Sequence, residues 1–397
     1  MRLLARVAAA ALLTVTPLAA GSASAAAPEP TPAPLKTAAN AVPGQYIVTL
    51  EKGQDAAKVV QRLGLKATFI YTAALNGFAV PLTPLQLTIV RNSLGVKSVE
   101  EDAKVQSVPR PATAPGTRAP SNSWGLDRID QKELPLDDNF TPEGNGAGVT
   151  AYILDTGIDY AHTEFGGPDA SRATFGFDAV GDGRNGQDCQ GHGTHVAGTV
   201  AGKTYGVASK AKLVSVRVLG CDGKGTWSGI IAGLDWVAKN AKRPAVLNAS
   251  LGGERSDAVN AAADAVTDAG VLPVVAAGNS ASDACNVSPA SASRVLTVGA
   301  VTRYDEESDF SNYGSCLTLY APGGAIVSAK LGGGSVALDG TSMAAPHVTG
   351  VAVLYKAKNP AATPEDINEF IEQESSKDVL SKLSPASPNK LLYTAGL

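Results

Sequence analysis

The stretch GTSMAAPH at Gly340–His347 places a serine, Ser342, at the predicted start of an apolar helix that continues through Val348–Tyr355. Backbone N–H groups at a helix N-terminus lack partners and lie at the positive end of the helix dipole. A serine hydroxyl is nevertheless a poor nucleophile unless a base removes its proton and a third group orients that base. The segment therefore predicts a catalytic serine only if other parts of the chain supply a base and an acid.

Two upstream segments supply these groups. GHGTH at Gly191–His195 offers His192 between two glycines, and ILDTG at Ile153–Gly157 offers Asp155 directly after an apolar strand. The chain order Asp, His, Ser is that of subtilisin and differs from the orders in chymotrypsin and in α/β-hydrolases. Together the three motifs resemble the subtilisin-like serine proteases, and the surrounding sequence is similar to the proteinase K and aqualysin branch.

The resemblance implies a catalytic role for each of the three residues. Asp155 would hold the tautomer of His192 and stabilise its imidazolium form. His192 would act as general base toward Ser342 and then as general acid toward the leaving amine. The alternative is a metal bound by His192 and His195, but their i, i+3 spacing differs from H-E-x-x-H and no glutamate stands between them. We therefore expect His195 and His347 to be structural.

Other segments resemble the substrate-binding parts of the family. Asn279, which ends the sequence VAAGN, matches the oxyanion-hole asparagine, and its NH₂ would act beside the Ser342 N–H. The segments Ser250–Gly253 and Gly223–Gly225 would sandwich an extended peptide as an added strand. Ala276, Gly278 and Leu251 would line an apolar pocket without a fixed charge. The predicted substrate-binding residues are Gly223, Gly225, Trp227, Ser250, Leu251, Gly252, Ala276 and Gly278. They predict a preference for apolar or aromatic residues before the cut bond; the alternative for Trp227 is a purely structural role.

A set of polar residues matches an N-terminal calcium site of aqualysin-like relatives. The set is Asp127, Asp130, Gln131, Asp137 and Asn139. Hard oxygen ligands at this density suit Ca²⁺; the alternative is a solvated acidic loop with helix caps. A second family site is not expected to bind strongly, because Thr318 stands where proteinase K has a coordinating aspartate. Only the carbonyl groups of Ser293 and Val295 remain there.

Four cysteines, Cys189, Cys221, Cys285 and Cys316, suggest two disulfides in an exported chain. Four cysteines allow three connectivities, and the sequence alone does not choose between them. The resemblance to aqualysin-type enzymes implies Cys189–Cys221 and Cys285–Cys316. Free buried thiols are the alternative, which an oxidising environment disfavours.

The N-terminus at 1–25 is predicted to be a signal peptide. Arg2 and Arg6 precede the apolar, alanine-rich run Val7–Leu18, and Ala23-Ser24-Ala25 forms an A-x-A cleavage site. A membrane anchor is the alternative, but the run is shorter than the ~20 residues that a transmembrane helix needs. We therefore expect a secreted, extracellular protein with no membrane association after export.

The segment 45–106, after a Pro/Ala-rich linker at 26–44, has a β-α-β-β-α-β pattern. The predicted elements are a strand at Tyr46–Leu50, a helix at Ala56–Leu63, two strands within Phe69–Val80 broken at Asn76-Gly77, a helix capped by Thr83, and a strand at Val96–Val99. This pattern resembles the inhibitory propeptide of subtilisin-like proteases, a small α+β (ferredoxin-like) domain that helps the enzyme fold and occupies its cleft. A second linker at 107–123 is expected to contain the maturation site, and by resemblance the mature enzyme begins near Thr117.

The remaining residues, 124–397, alternate buried strands with helices. Strands are predicted at Val149–Leu154, Leu213–Leu219, Ala245–Leu251, Val271–Ala277 and Val295–Val301, with helices at Ser228–Ala238 and Asp257–Ala269. This alternation predicts an α/β peptidase domain with a mainly parallel sheet covered on both faces. By resemblance it is the three-layer subtilisin-like fold.

Composition narrows the function. A net charge of −4 gives no reason to expect nucleic acid as a target. An esterase of unrelated fold is disfavoured by the absence of G-x-S-x-G, and an inactive binding protein by the presence of every catalytic residue. We therefore predict a monomeric serine endopeptidase that acts on polypeptides and is made as a precursor inhibited by its own propeptide.

Overall fold

A computed structural model describes residues 31–107, 123–397 and the main chain of 110–111. The predicted signal peptide at 1–25 lies outside the described residues. So does most of the predicted linker at 107–123, including Thr117.

The N-terminal region is a small sheet with two helices on one face. Its elements are β1 (Leu35–Lys36), β2 (Ala41–Leu50), α1 (Ala56–Arg62), β3 (Phe69–Tyr71), β4 (Gly77–Pro81), α2 (Pro84–Arg91) and β5 (Val96–Gln106). The strand order is β1-β5-β2-β4-β3, antiparallel except for β1 beside β5. Thr83 and Gln86 form a capping box at α2, as expected from Thr-Pro at a helix start.

The two predicted strands within Phe69–Val80 are present and pair antiparallel, but the predicted turn at Asn76-Gly77 is wrong. β3 ends at Tyr71 and β4 begins at Gly77, so five residues connect them. Gly77 serves close packing within the sheet instead of a turn, because a Cβ at this position would lie 2.1 Å from the Val48 carbonyl oxygen. The sheet also includes residues of the Pro/Ala-rich segment 26–44. Hydrophobic periodicity does not mark these residues as strands, because short pairings of this kind depend on backbone hydrogen bonds.

The C-terminal region alternates strands and helices. Its elements are β6 (Arg110–Pro111), α3 (Trp124–Ile129), β7 (Thr150–Asp155), β8 (Ala173–Asp178), α4 (His192–Ala201), β9 (Lys212–Arg217), β10 (Lys224–Thr226), α5 (Trp227–Asn240), β11 (Ala245–Ala249), β12 (Gly253–Glu254), α6 (Asp257–Asp268), β13 (Leu272–Ala276), β14 (Val287–Ser288), β15 (Leu296–Val301), β16 (Leu319–Pro322), β17 (Ile326–Ala329), β18 (Ser335–Asp339), α7 (Thr341–Lys358), α8 (Pro364–Glu374), β19 (Ser376–Lys377) and β20 (Lys390–Leu391).

The main sheet runs in the order β19-β20-β16-β15-β13-β11-β7-β9-β8 and is parallel except at β19. Strands β7, β11, β13 and β15 are completely buried. Burial on both faces explains why they read as nearly continuous apolar runs. The predicted α/β class with a mainly parallel sheet is confirmed.

Side chains of β7 show how the layers are built. Ala151 and Ile153 join the core beneath α4 and α7, whereas Tyr152 and Leu154 join the core beneath α5 and α6. This follows from the alternation of side chains along a strand. One face of the N-terminal sheet, through residues such as Tyr71, completes the core beneath α5 and α6. The N-terminal region therefore covers these two helices.

Candidate active site

The carboxyl end of β7 and the amino end of α4 bring Asp155 and His192 together. His192 Nδ1 lies 2.7 Å from Asp155 Oδ1, and both side chains are fully buried. The Thr156 N–H also donates to Asp155 Oδ1, at 2.7 Å. Since Nδ1 is engaged by the carboxylate, Nε2 is the nitrogen available for proton transfer.

Ser342 lies in the first turn of α7, which packs against α4. Its Oγ donates to the Ser250 carbonyl oxygen at 3.2 Å. Within the described residues, His192 Nε2 has no hydrogen-bond partner. The structure thus joins the acid to the base but leaves the serine hydroxyl bonded elsewhere. Catalytic hydrogen bonds are often long or misaligned before substrate binds, so this arrangement does not remove Ser342 as a candidate nucleophile.

Two hydrogen-bond donors converge beside Ser342. The Asn279 Oδ1 accepts from the N–H and the hydroxyl of Thr341, both at 2.8 Å, which fixes the orientation of the amide. A methyl group placed on Gly340 would lie 3.4 Å from Asn279 Nδ2 and 3.5 Å from Ser342 N. The Asn279 amide nitrogen and the Ser342 backbone nitrogen therefore lie close to the same point beside Gly340.

The predicted peptide-binding segment 223–226 already pairs with a strand. β10 pairs antiparallel with the end of β5, with Gly225 opposite Val105, and the Ser107 N–H donates to the Gly223 carbonyl oxygen at 3.0 Å. Trp227, the first residue of α5, is buried in the same core as Val105. The chain's own N-terminal region thus adds a strand to the segment predicted to bind substrate.

The other predicted substrate-binding residues fall on two sides of the sheet. Ser250 donates through Oγ to the Ser342 carbonyl oxygen at 2.9 Å. Leu251 is buried in the core that holds Val105, whereas Ala276 belongs to the core beneath α4 and α7. Gly252 and Gly278 complete the set; Gly278 has the left-handed φ of 109° that favours glycine.

The predicted calcium ligands lie in α3 and in the loop that follows it. The carboxylate of Asp127 accepts from the N–H groups of Asp137 and Asp138, and that of Asp130 accepts from the Thr141 N–H. Burial raises the pKa of Asp127 and of Asp130, and repulsion between neighbouring carboxylates, including that of Asp137, adds to the effect.

This donor set suits a divalent cation, because a cation among mutually repelling carboxylates would relieve the repulsion. Asp137 Oδ1 accepts from the Asn139 N–H, and Gln131 donates to the Pro135 carbonyl oxygen at 2.9 Å. No cluster of three or more His, Cys, Asp or Glu side chains in the described ranges has the arrangement of a metal site. Carbonyl or water oxygens would have to complete the coordination.

The four cysteines form two disulfides, Cys189–Cys221 and Cys285–Cys316, the pairing that the resemblance implies. The first lies beside Arg217, whose guanidinium bonds Asp178 and Asp182. The Cys189–Cys221 disulfide therefore anchors the segment that leads into α4.

His195 and His347 are fully buried and contact backbone carbonyls. His195 Nε2 lies 3.1 Å from the Ile326 carbonyl oxygen, and His347 Nδ1 lies 2.8 Å from that of Met343. Burial lowers the pKa of His195 to about 3 and that of His347 to about 4. Both are therefore neutral at physiological pH. His195 links α4 to β17, whereas His347 bonds within its own helix, α7.

The sequence analysis missed two carboxylates of β5 that contact helix N-termini. Asp102 accepts from the N–H and the hydroxyl of Ser228 at the start of α5, at 3.0 and 2.6 Å. Glu100 accepts from the Ser256 hydroxyl and the Ala258 N–H at the start of α6, at 2.7 and 3.1 Å. A helix N-terminus is a natural site for an anion.

In a third contact between the two regions, the peptidase supplies the carboxylate and the N-terminal region supplies the N–H groups. Asp235 of α5 accepts from the N–H groups of Thr72, Ala73 and Ala74 at 2.9, 2.6 and 2.9 Å. These residues belong to the five-residue connection between β3 and β4. Alternating acidic residues on a strand, beside Ser or Thr helix caps far along the chain, are the sequence signal that could have revealed such contacts.

The doubly wound sheet, the buried Asp155–His192 pair and a serine on a helix that packs against α4 are features that a serine hydrolase has. The model of the subtilase family matches residues 146–391, and that of the peptidase inhibitor I9 family matches 64–107. The chain therefore belongs to the subtilase family: it is a subtilisin-like serine endopeptidase that carries an I9 inhibitor segment. The predicted family and inhibitory propeptide are confirmed.

Similar proteins agree with this assignment. The chain is 45% identical to alkaline serine exoprotease A of Vibrio alginolyticus over 82% of this chain, a match that spans only 60% of that relative. It is 44% identical to the extracellular serine proteinase of Thermus sp. (strain Rt41A) over 90% of this chain and 91% of that protein. A solved cold-adapted subtilisin-like serine proteinase is 49% identical, covers 68% of this chain and 97% of its own, and has a TM-score of 0.66. No helix in the described ranges has the length and hydropathy needed to cross a bilayer.

Proposed function

We propose that this chain is a secreted serine endopeptidase that cuts polypeptides through Asp155, His192 and Ser342. The observation that carries the proposal is the buried 2.7 Å contact between Asp155 and His192, beside a serine at a helix N-terminus. A carboxylate held against Nδ1 fixes the tautomer whose Nε2 accepts a proton.

The first half of the reaction forms an acyl-enzyme. Ser342 Oγ rotates away from the Ser250 carbonyl oxygen, gives its proton to His192 Nε2 and attacks the peptide carbonyl carbon. The Asn279 NH₂ and the Ser342 N–H donate to the oxyanion that forms. His192 then returns the proton to the leaving amine, and the C–N bond breaks.

The second half repeats these steps with water. His192 accepts a proton from a water molecule that attacks the acyl carbon, and the oxyanion again lies between the same two donors. Return of the proton to Ser342 Oγ releases the carboxylic product. Asp155 stabilises the imidazolium in both halves without itself taking the proton.

Substrates are proposed to bind as an added strand between segments 223–227 and 250–252. The pairing of the chain's own β5 with β10 supports this mode, since main-chain bonds give affinity and side-chain pockets give selectivity. Leu251, Ala276 and Gly278 carry no charge. We therefore infer a broad specificity with a preference for apolar or aromatic residues before the cut bond.

The precursor is proposed to inhibit itself and to cut itself within 107–123. Residues up to Ser107 contact the segment 223–226, and Arg110–Pro111 pairs with Leu338–Asp339, directly before Gly340. Contacts on both sides of the candidate nucleophile favour a first cut near Ser107 over one near Thr117. The bond itself lies outside the described residues.

Two further features complete the proposal. Secretion is supported by the predicted signal peptide at 1–25 and by the similarity to a proteinase that is named extracellular. A structural calcium ion is proposed in the loop that contains Asp127, Asp130, Gln131, Asp137 and Asn139. Its role would be to hold this loop against α3, away from the chemical step.

The central test replaces the nucleophile in the full-length chain. Ser342→Ala should lower hydrolysis of a peptide substrate by about 10⁶-fold, the loss known for subtilisin, a member of the same family. Mass spectrometry should find an uncut precursor, whereas the parent releases an N-terminal fragment that ends within 107–123. Ser335→Ala, which alters an exposed serine of β18, is the control and should behave like the parent. Full activity of Ser342→Ala would end the proposal.

A further inference from the structure

Asn312 directs its side chain at a single turn. It lies between β15 and β16 and is only 1% exposed. Its Oδ1 accepts from the N–H groups of Ser280 and Ser282, at 3.0 and 3.1 Å, and from the Ser282 hydroxyl at 3.2 Å. These contacts fix the backbone that follows Asn279.

The same residue also fixes the backbone that precedes Asn279. Asn312 Nδ2 donates to the Ala277 carbonyl oxygen at 2.9 Å, and the Asn312 N–H donates to that of Gly278, also at 2.9 Å. The packing is tight, because a Cβ on Gly278 would lie 2.3 Å from Asn312 Nδ2. One buried asparagine thus holds the turn on both sides of the candidate oxyanion donor.

The position of Asn279 depends on this turn. Its Oδ1 is held by Thr341, so a shift of the 277–282 backbone would pull the amide out of line with the Ser342 N–H. Donors to an oxyanion act within a narrow range of distance, about 2.7–3.1 Å. Displacement of about 1 Å by a change away from the chemistry can cost about 10²-fold in rate.

We propose that Asn312 is a positioning residue of the oxyanion hole, which acts by holding the 277–282 turn and, through it, Asn279. This proposal rests on the proposed function, in which Asn279 donates to the oxyanion. Asn312 itself does not touch the substrate. Its removal should therefore lower kcat, whereas the ground-state affinity for peptide should change little.

A double-mutant cycle tests the proposal in the full-length chain, with rates expressed per active site titrated after maturation. Asn279→Ala should lower kcat about 10²–10³-fold, and Asn312→Ala about 10–10²-fold, with KM within a few-fold of the parent. Because Asn312 acts through Asn279, Asn312→Ala should cause almost no further loss in the Asn279→Ala background. Asn312→Asp keeps the acceptor for Ser280 and Ser282 and should retain more activity than Asn312→Ala.

The control is Asn389→Ala, which removes an asparagine that bonds both backbone groups of Leu380 outside this turn. It should lower thermal stability without changing kcat. Unchanged kcat in Asn312→Ala and Asn312→Asp, or losses that multiply with that of Asn279→Ala, would overturn the positioning role alone. If Asn279→Ala itself keeps full kcat, the oxyanion assignment fails, and the proposal fails with it.

Discussion

Two buried carboxylates of the N-terminal region 31–107 are neutralised differently from two largely buried carboxylates of the peptidase region, Asp305 and Asp178. In the peptidase, Asp305 is paired with the buried Arg128, and Asp178 with Arg217. In the N-terminal region, Glu100 and Asp102 lie against the first turns of α6 and α5, and neither forms a salt bridge with another residue that the structure describes. The ion pairs are internal to one region, whereas the helix contacts exist only while the two regions are together.

This difference suits an inhibitor that has to leave. A helix N-terminus that loses its anion can be solvated by water, whereas an unpaired buried charge is costly. The apolar contacts of the N-terminal sheet are also of two kinds. One face packs on α1 and α2 within the same region, and the other completes the core beneath α5 and α6 of the peptidase. A region of this size buries little surface on its own, so its contacts with the peptidase add to its stability.

The largest expected effect comes from removing both carboxylates. A hydrogen bond to a charged group contributes about 1.5–3 kcal/mol. Counting one such bond for each carboxylate, Glu100→Ala with Asp102→Ala should weaken docking by about 10²–10⁴-fold. The measurement uses the uncut Ser342→Ala precursor, in which added active enzyme digests the N-terminal region when it undocks. The rate of digestion should rise by that factor.

Glu101→Ala is the matched control for this experiment. Glu101 lies between the two carboxylates but accepts only from the Ala38 N–H within its own region. Its removal should leave the rate of digestion close to that of the parent. Equal rates for the double variant and for Glu101→Ala would show that the contacts of Glu100 and Asp102 with the helix N-termini do not hold the region, and the contrast drawn above would be lost.

The sequence predicts the candidate site better than it predicts this interface. Asp155, His192 and Ser342 lie in short motifs at a strand end or a helix start, so local pattern alone reveals them. Glu100 and Asp102 look like solvated charges on an edge strand, because their partners begin more than a hundred residues later. The connection after β3 was mispredicted for a similar reason, since the glycine that suggested a turn is required for close packing within the sheet.

A smaller effect is expected from acid. The pKa of His347 is lowered to about 4 in the folded protein, so below about pH 6.5 the unfolded state binds more protons and folding weakens. At about 1.4 kcal/mol for each pKa unit, His347 should cost about 3 kcal/mol of stability by pH 4. The pH dependence that Asp102 contributes has the opposite sign. Burial raises the pKa of Asp102, so its contribution to docking falls as the pH rises.

Urea unfolding of the Ser342→Ala precursor at pH 7 and pH 4 measures this loss. His347→Gln should unfold with a smaller difference in the free energy of unfolding between the two pH values, although it starts from a lower stability at pH 7. Digestion of the N-terminal region should not accelerate between pH 7 and pH 5. The same pH dependence in His347→Gln and in its parent would assign the acid sensitivity to other groups.

The smallest expected effect concerns calcium, which would stabilise only the peptidase side. At a free concentration one hundred times its Kd, a bound ion adds about 2.7 kcal/mol, or about 5–10 °C in Tm for a domain of this size. A chelator should therefore lower the Tm of the Ser342→Ala precursor by that amount without changing the docking of the N-terminal region. Asp137→Asn should abolish the calcium-dependent shift. In chelator it should be at least as stable as the parent, because the repulsion that raises the pKa of Asp130 is reduced.

Asp138→Asn is the matched control for calcium, since it removes the same charge from the same loop at a residue outside the predicted ligand set. Asp138 has a φ of 61°, which asparagine adopts readily, so the backbone should be undisturbed. Calcium should still raise the Tm of this variant. If calcium stabilises Asp137→Asn as much as Asp138→Asn, the ion does not bind at these ligands. If it stabilises neither variant nor the parent, the loop is held without an ion, by hydrogen bonds such as those of Asp127 and Asp130. Either result would mean that calcium does not distinguish the peptidase region from the N-terminal region. The difference between the two regions would then consist of helix capping and apolar packing.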